Sequence, residues 1–331
     1  MFHNPQSSVV STRLAPSRTI IKLKQHNSNK MEWQNKNQNR THSGFNGENE
    51  MKWNGPFFFI QAADCQLGLI QRYIEKNPEP GWQKEIALTK TAVEKINSLQ
   101  QKPRFFVICG DLCDAFPSEE PALRAEQERD LKRILSNLDP LIPLVCVCGN
   151  HDVGNQPSSA DLLAYQSSFG DDYFSFWCGG VFHIVVNSQF WHDRSLVKEE
   201  AEKQDHWLEE QLNTLKNSGA KFGIIFQHIP WFLNEYDEAN TADAYFSLRP
   251  EIRQKWLPKF KEAGVKVVFC GHYHRNAGGF FEELEMVTTS AIGGQLGSDK
   301  SGMRIVKVFA DHVKHEYFPF TQFPENVLLN M

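Results

Sequence analysis

Five short apolar runs in this chain each stop abruptly at side chains able to bind a metal or carry a proton. Residues 57–63 lead into Asp64-Cys65-Gln66, residues 105–109 into Gly110-Asp111, and residues 143–148 into Gly149-Asn150-His151-Asp152. Later, residues 222–226 lead into Gln227-His228 and residues 265–270 into Gly271-His272-Tyr273-His274-Arg275. The runs are mostly apolar rather than strictly alternating, with Gln61 and Lys266 as the amide and the charge within them, and they are rich in Phe, Val and Ile, so they read as buried strands. Helical spacing fills the gaps between the first three, with Ile86, Val93 and Ile96 inside 82–99 and a second helix over about 122–138. Strands alternating with helices, joined by right-handed crossovers, bring every polar exit to one rim of a sheet. Ligands of open α/β sheets collect at that rim.

The second half repeats the arrangement. Residues 173–177 and 181–186 form an antiparallel pair through Cys178-Gly179-Gly180, and a charged helix over about 199–216 precedes the strand that ends at His228. Short strands around the glycine-rich turn 291–297 close the fold. No internal repeat is visible. The expectation is one α/β domain over 53–320, a four-layer α/β/β/α sandwich with two mixed β-sheets, followed by a C-terminal tail over 321–331.

Composition sets limits on the class. A formal charge of −5 over 331 residues argues against a general nucleic-acid binder, and no apolar run approaches the roughly 20 residues that cross a bilayer. Seven cysteines is an odd number, and most sit in or beside the apolar runs. That usage fits reduced core residues and a cytoplasmic location better than a disulfide framework. Residues 1–50 differ from the rest. They carry no acidic residue before Met31, five Lys and Arg by then, and mostly polar side chains through Glu50, which reads as a disordered basic extension, with a transit peptide as the alternative.

Carboxylates, carboxamides and imidazoles without paired thiolates suit divalent Mn, Mg, Fe or Zn, not a Cys-rich structural zinc site. In order and spacing, Asp64-x-Gln66, Gly110-Asp111-x-x-Asp114, Gly149-Asn150-His151-Asp152, His228 and Gly271-His272-Tyr273-His274 resemble the five-block signature of the calcineurin-like metallophosphoesterases. The blocks span about 210 residues. Flanking phrases, Gly170 to Trp177 and Gly271 to Gly279, are similar to a serine/threonine-phosphatase group within that superfamily, and the likeness runs from Trp53 onward.

The resemblance implies a role for each position. Asp111 bridges two divalent ions; Asp64, Gln66 and His274 complete one site, and Asn150, His228 and His272 the other. His151 serves the leaving oxygen as a proton donor, oriented by Asp114 or Asp152, while a metal-bridging hydroxide attacks phosphorus in line. The implied substrate is a phosphoprotein, signalling kinases included, and a monomer is favoured. A nucleotide phosphodiesterase is the rival chemistry, and a catalytically weak scaffold the rival class. Two departures stand out. Gln66 replaces a histidine usual in the superfamily, and Asp114-Ala115-Phe116 replaces the Asp-Arg-Gly that grips phosphate in the major protein phosphatases, leaving Arg275 as the candidate clamp. A loop carrying Trp231-Phe232-Leu233, the acidic run 235–238 and Tyr245-Phe246 lies beside His228 and is placed to shape substrate choice.

Overall fold

The computed structural model describes residues 33, 35–239 and 245–329, and residues 32–331 form one compact unit. In chain order the elements are β1 (Asn37–Gln38), β2 (Thr41–His42), β3 (Phe57–Ala62), α1 (Gln83–Asn97), β4 (Phe106–Cys109), α2 (Pro121–Leu135), β5 (Leu144–Val147), α3 (Asn150–Val153) and α4 (Ser159–Phe169). They continue with β6 (Phe174–Cys178), β7 (Val181–Val185), α5 (Gln189–His192), α6 (Lys198–Asn217), β8 (Gly223–Phe226), α7 (Pro250–Ala263), β9 (Val265–Cys270), β10 (Ala277–Phe281), β11 (Leu284–Thr288), β12 (Gly302–Val308) and β13 (Val313–Pro319). Two mixed sheets result, with strand orders β13-β12-β3-β4-β5 and β10-β11-β9-β8-β7-β6.

The two sheets face each other, and this is why the strand sequences do not alternate. On β3, Phe57 and Phe59 enter a core shared with Phe105, Phe176, Phe226 and Phe269, while Phe58 and Ile60 point outward beneath α1 and α2. The outer face of the second sheet is covered by α6 and α7 through Leu208, Leu212, Trp256 and Phe260. Helix, sheet, sheet, helix is the expected four-layer order. No helix among the described residues is long and apolar enough to cross a membrane.

Three features depart from the sequence reading. The globular part starts earlier than Trp53: β1 and β2 form a hairpin turned by Asn39 and Arg40, both at positive φ, and Phe45 stacks on Phe176 at 4.4 Å. Trp33, edge-on to Phe169 at 5.8 Å, and residues 35–50 are therefore folded onto the domain, and the rest of the basic extension lies outside the described residues. The span before Val265, to which the sequence reading assigned no element, contains α7. At the other end, Phe320, Phe323 and Val327 are buried against the first sheet's outer layer, so the tail docks there.

His183 is fully buried between the sheets, its ring parallel to Phe176 at 4.8 Å. Burial pushes its pKa from 6.5 down to about 3. The unfolded chain thus takes up a proton below pH 6.5 that the folded chain refuses until about pH 3, and stability is lost as pH falls through that window. From pH 7.5 to 5 the loss is about 2 kcal/mol by linkage. His183→Phe is expected to remove that share of the acid sensitivity, read from urea melts at the two pH values; parallel slopes for variant and wild type would reject it.

Candidate metal centre

The registers align the carboxyl ends of the central strands. Ala62 pairs with Ile108, Cys109 with Val147, and Phe226 with Phe269. Asp64, Asp111, Asn150, His228 and His272 therefore leave their strands at one rim, and the backbone turns sharply there. Asp64, Gln66, Asp111, His272 and His274 all have positive φ, so five of the seven expected ligands occupy a region that costs an L-residue roughly 1–2 kcal/mol. Strain gathered this way is kept where a site requires it. Close approach explains two motif glycines: a Cβ at Gly110 would collide with the His228 ring, and one at Gly149 with the Asp111 carboxylate.

Among the described residues two groups of donor atoms emerge, both buried, and Asp111 belongs to both. One is Asp64, Asp111 and His274; the other is Asp111, His228 and His272, each with its atoms within 4.8 Å of one another. In the second, three atoms converge on His228 Nε2: Asn150 Oδ1 at 3.0 Å, His272 Nδ1 at 3.1 Å and Asp111 Oδ2 at 3.2 Å. In the first, His274 Nε2 lies 3.4 Å from Asp64 Oδ1. Gln66 adjoins it, its N–H donating to the Asp111 carbonyl at 2.8 Å. Its amide nitrogen donates to Asp114 at 3.2 Å, and its buried Oε1 has no hydrogen-bond partner.

This donor set fits divalent metal. Each of the three histidines turns one nitrogen to a backbone carbonyl: His228 Nδ1 to Cys109 at 2.9 Å, His272 Nε2 to Tyr245 at 2.7 Å, and His274 Nδ1 to Gly294. A carbonyl only accepts, so that nitrogen carries the proton and the other presents a lone pair to the centre, as metal-binding histidines commonly do. The unpartnered Gln66 oxygen is a further neutral donor of the hard type such ions favour. Electrostatics favour cations here. Burial works against charge on His228, yet Asp111 and Asp64 outweigh it and raise the imidazole to about 9. Asp111 is likewise held well below the usual carboxylate range despite its burial, by His228, His151 and His272.

His151 stands beside the shared carboxylate, its backbone N–H donating to Asp111 Oδ1 at 2.9 Å. Its Nδ1 lies 2.5 Å from the Asp114 backbone carbonyl and 3.7 Å from the Asp114 carboxylate, while Phe116 stacks on the ring at 4.4 Å. Of the two residues weighed as its orienter, Asp114 is the nearer, and it holds the ring through its backbone carbonyl rather than its carboxylate. Asp152 turns away to the N–H groups of Leu112 and Gly149 and to Arg124. Arg275 does not join the donor cluster through any hydrogen bond. Its guanidinium holds the Leu296 carbonyl at 2.6 and 3.0 Å and the Tyr273 hydroxyl at 2.9 Å.

Sequence reasoning missed Arg124 and Gln127. Both lie on the buried face of α2, and they prop up the loops that carry Asp111 and His151. Arg124 donates to Asp152 at 2.8 Å and to the His151 carbonyl at 3.0 Å, and Gln127 accepts from the Ala115 N–H at 2.9 Å. The signal was present, since both stand in register with Leu131 and Ile134, where apolar residues belong. Arg124→Met leaves the Asp152 charge buried without its partner, and we expect a loss of about 3–5 kcal/mol in urea unfolding. Adding Asp152→Asn should restore part of it. A single variant as stable as wild type would show that the pair does not brace the loops.

Comparisons agree with this geometry. The calcineurin-like phosphoesterase family matches residues 59–276. The human protein named serine/threonine-protein phosphatase CPPED1 is 47% identical over 289 residues, covering 86% of this chain and 91% of its own. The zebrafish protein of that name is 46% identical over 289 residues, covering 86% and 92%. Among solved structures, a dimetal phosphatase from Danio rerio superposes with a TM-score of 0.57 at 15% identity, over 81% of this chain and 98% of its own, a likeness of fold. With the family matched across the segment that carries every donor, and relatives alike over most of their length, the chain belongs to the calcineurin-like phosphoesterase family.

Proposed function

We propose that the protein is a phosphomonoesterase that works with two divalent ions and acts on phosphoserine and phosphothreonine in proteins, signalling kinases among the candidate substrates. The observation that carries the reading is the sharing of Asp111 between two donor groups while its Oδ1 holds the backbone of His151. Asp64, Gln66, Asp111 and His274 would hold one ion, and Asp111, Asn150, His228 and His272 the other. Divalent ions in such a pair neutralise phosphoryl charge and lower the pKa of water. The residues supply the rest. With Nδ1–H committed to the Asp114 carbonyl, His151 has Nε2 left to give a proton to the departing alkoxide, and Phe116 fixes the ring plane. The phosphoprotein assignment is supported by the names of the relatives, which are alike over most of both chains.

The test compares metal-stripped protein, restored in turn with Mn²⁺, Mg²⁺, Fe²⁺ or Zn²⁺, on a phosphoserine peptide and on bis-p-nitrophenyl phosphate. Metal-dependent release of phosphate from the peptide, faster than diester cleavage, is the expected result. Faster diester cleavage would overturn the monoester reading, and no turnover with any metal in folded protein would overturn the enzyme reading for these substrates.

A further inference from the structure

We propose that Tyr245 is a positioning residue for the second donor group, holding two of its members, Asn150 and His272, in their ligand orientations. The inference rests on the two-ion reading above and adds to it a residue outside every strand-end motif. The Tyr245 phenol oxygen accepts a hydrogen bond from Asn150 Nδ2 at 2.8 Å, and its backbone carbonyl accepts one from His272 Nε2 at 2.7 Å. One residue therefore reaches two ligands of the same ion, with the side chain on one and the main chain on the other.

Both contacts are directional. A carboxamide sets its oxygen and nitrogen in fixed opposition, so anchoring the nitrogen aims the oxygen. Asn150 Nδ2 is anchored twice, by Tyr245 Oη and by Asn155 Oδ1 at 2.9 Å, and Oδ1 is thereby delivered to within 3.0 Å of His228 Nε2. On the other ligand, the carbonyl selects the His272 tautomer whose lone pair is on Nδ1, which faces His228 Nε2 at 3.1 Å. The Tyr245 ring also packs on the His272 ring at 4.7 Å, and Phe246 adds a contact at 5.7 Å. Tyr245→Phe keeps those ring contacts and the carbonyl, and removes only the hold on Asn150.

The experiment titrates chelator-stripped full-length protein with Mn²⁺ by calorimetry, for wild type and Tyr245→Phe. Alongside are thermal melts of the stripped proteins and kcat and KM on p-nitrophenyl phosphate at low and high Mn²⁺. Wild type should bind two ions. The variant should bind one as tightly as wild type and the other about 10–100-fold more weakly, the usual cost of losing a hydrogen bond behind a ligand. Its kcat should fall at low Mn²⁺ and recover at high Mn²⁺ with KM and melting temperature unchanged. Two wild-type affinities in the variant would overturn the inference and leave the two-ion reading standing, as would equal weakening of both sites with a lowered melting temperature, the mark of a merely structural role. Fewer than two ions on wild type would overturn both.

Discussion

Asp111→Asn is expected to remove metal-dependent activity almost completely while leaving the fold intact. The carboxylate is common to both donor groups, so its charge is lost from both at once. Transition-state stabilisation by a metal pair is worth several kcal/mol, and each 1.4 kcal/mol is a factor of about ten, so kcat/KM should drop at least ~10³-fold. Asparagine is the informative replacement. Residue 111 has φ 47°, a conformation asparagine tolerates better than most side chains, and its oxygen can still accept the His151 N–H. The stability readout is independent of turnover. An ion at 100 times its dissociation constant stabilises the folded state by ~2.7 kcal/mol, so Mn²⁺ should raise the wild-type melting temperature and barely move that of the variant. Equal metal-induced shifts in the two proteins would contradict the bridging role.

His151→Asn should separate chemistry from metal binding. The imidazole is not a member of either donor group, so both ions should bind as in wild type, by the same calorimetric titration. Loss of a general acid lowers rates by about 10²–10⁴-fold, and the loss should depend on the leaving group. An alkoxide leaving from phosphoserine needs the proton. A nitrophenolate scarcely does. We therefore expect a large fall in kcat on the phosphoserine peptide and a much smaller one on p-nitrophenyl phosphate. Equal losses on both substrates would place His151 in phosphate binding rather than proton donation.

Much of this was legible in the chain because both faces of β3, β4 and β8, and of β9 apart from Lys266, are buried, which leaves mostly apolar runs whose ends can be read to the residue. The ligands follow those ends directly, as at Cys109 to Asp111 and Cys270 to His272. What stayed hidden lacks such a period. Strands β1 and β2 are two residues each, and their register comes from a turn at Asn39-Arg40 that resembles any polar tail. In α7 the spacing Ile252, Trp256, Phe260 was present, but Pro258 interrupts it. Contacts such as Arg124 to His151, or Tyr245 to Asn150, join residues far apart along the chain, and no local pattern encodes them. Whether Asp114 or Asp152 serves His151 was open for the same reason, since the choice depends on where Arg124 draws Asp152.

The most direct test of the two-ion centre is an anomalous difference map from a crystal of the Mn²⁺-loaded protein. Two peaks about 3.5–4 Å apart, flanking the Asp111 carboxylate, are the predicted result. A single peak, or two that do not share Asp111, would contradict the account.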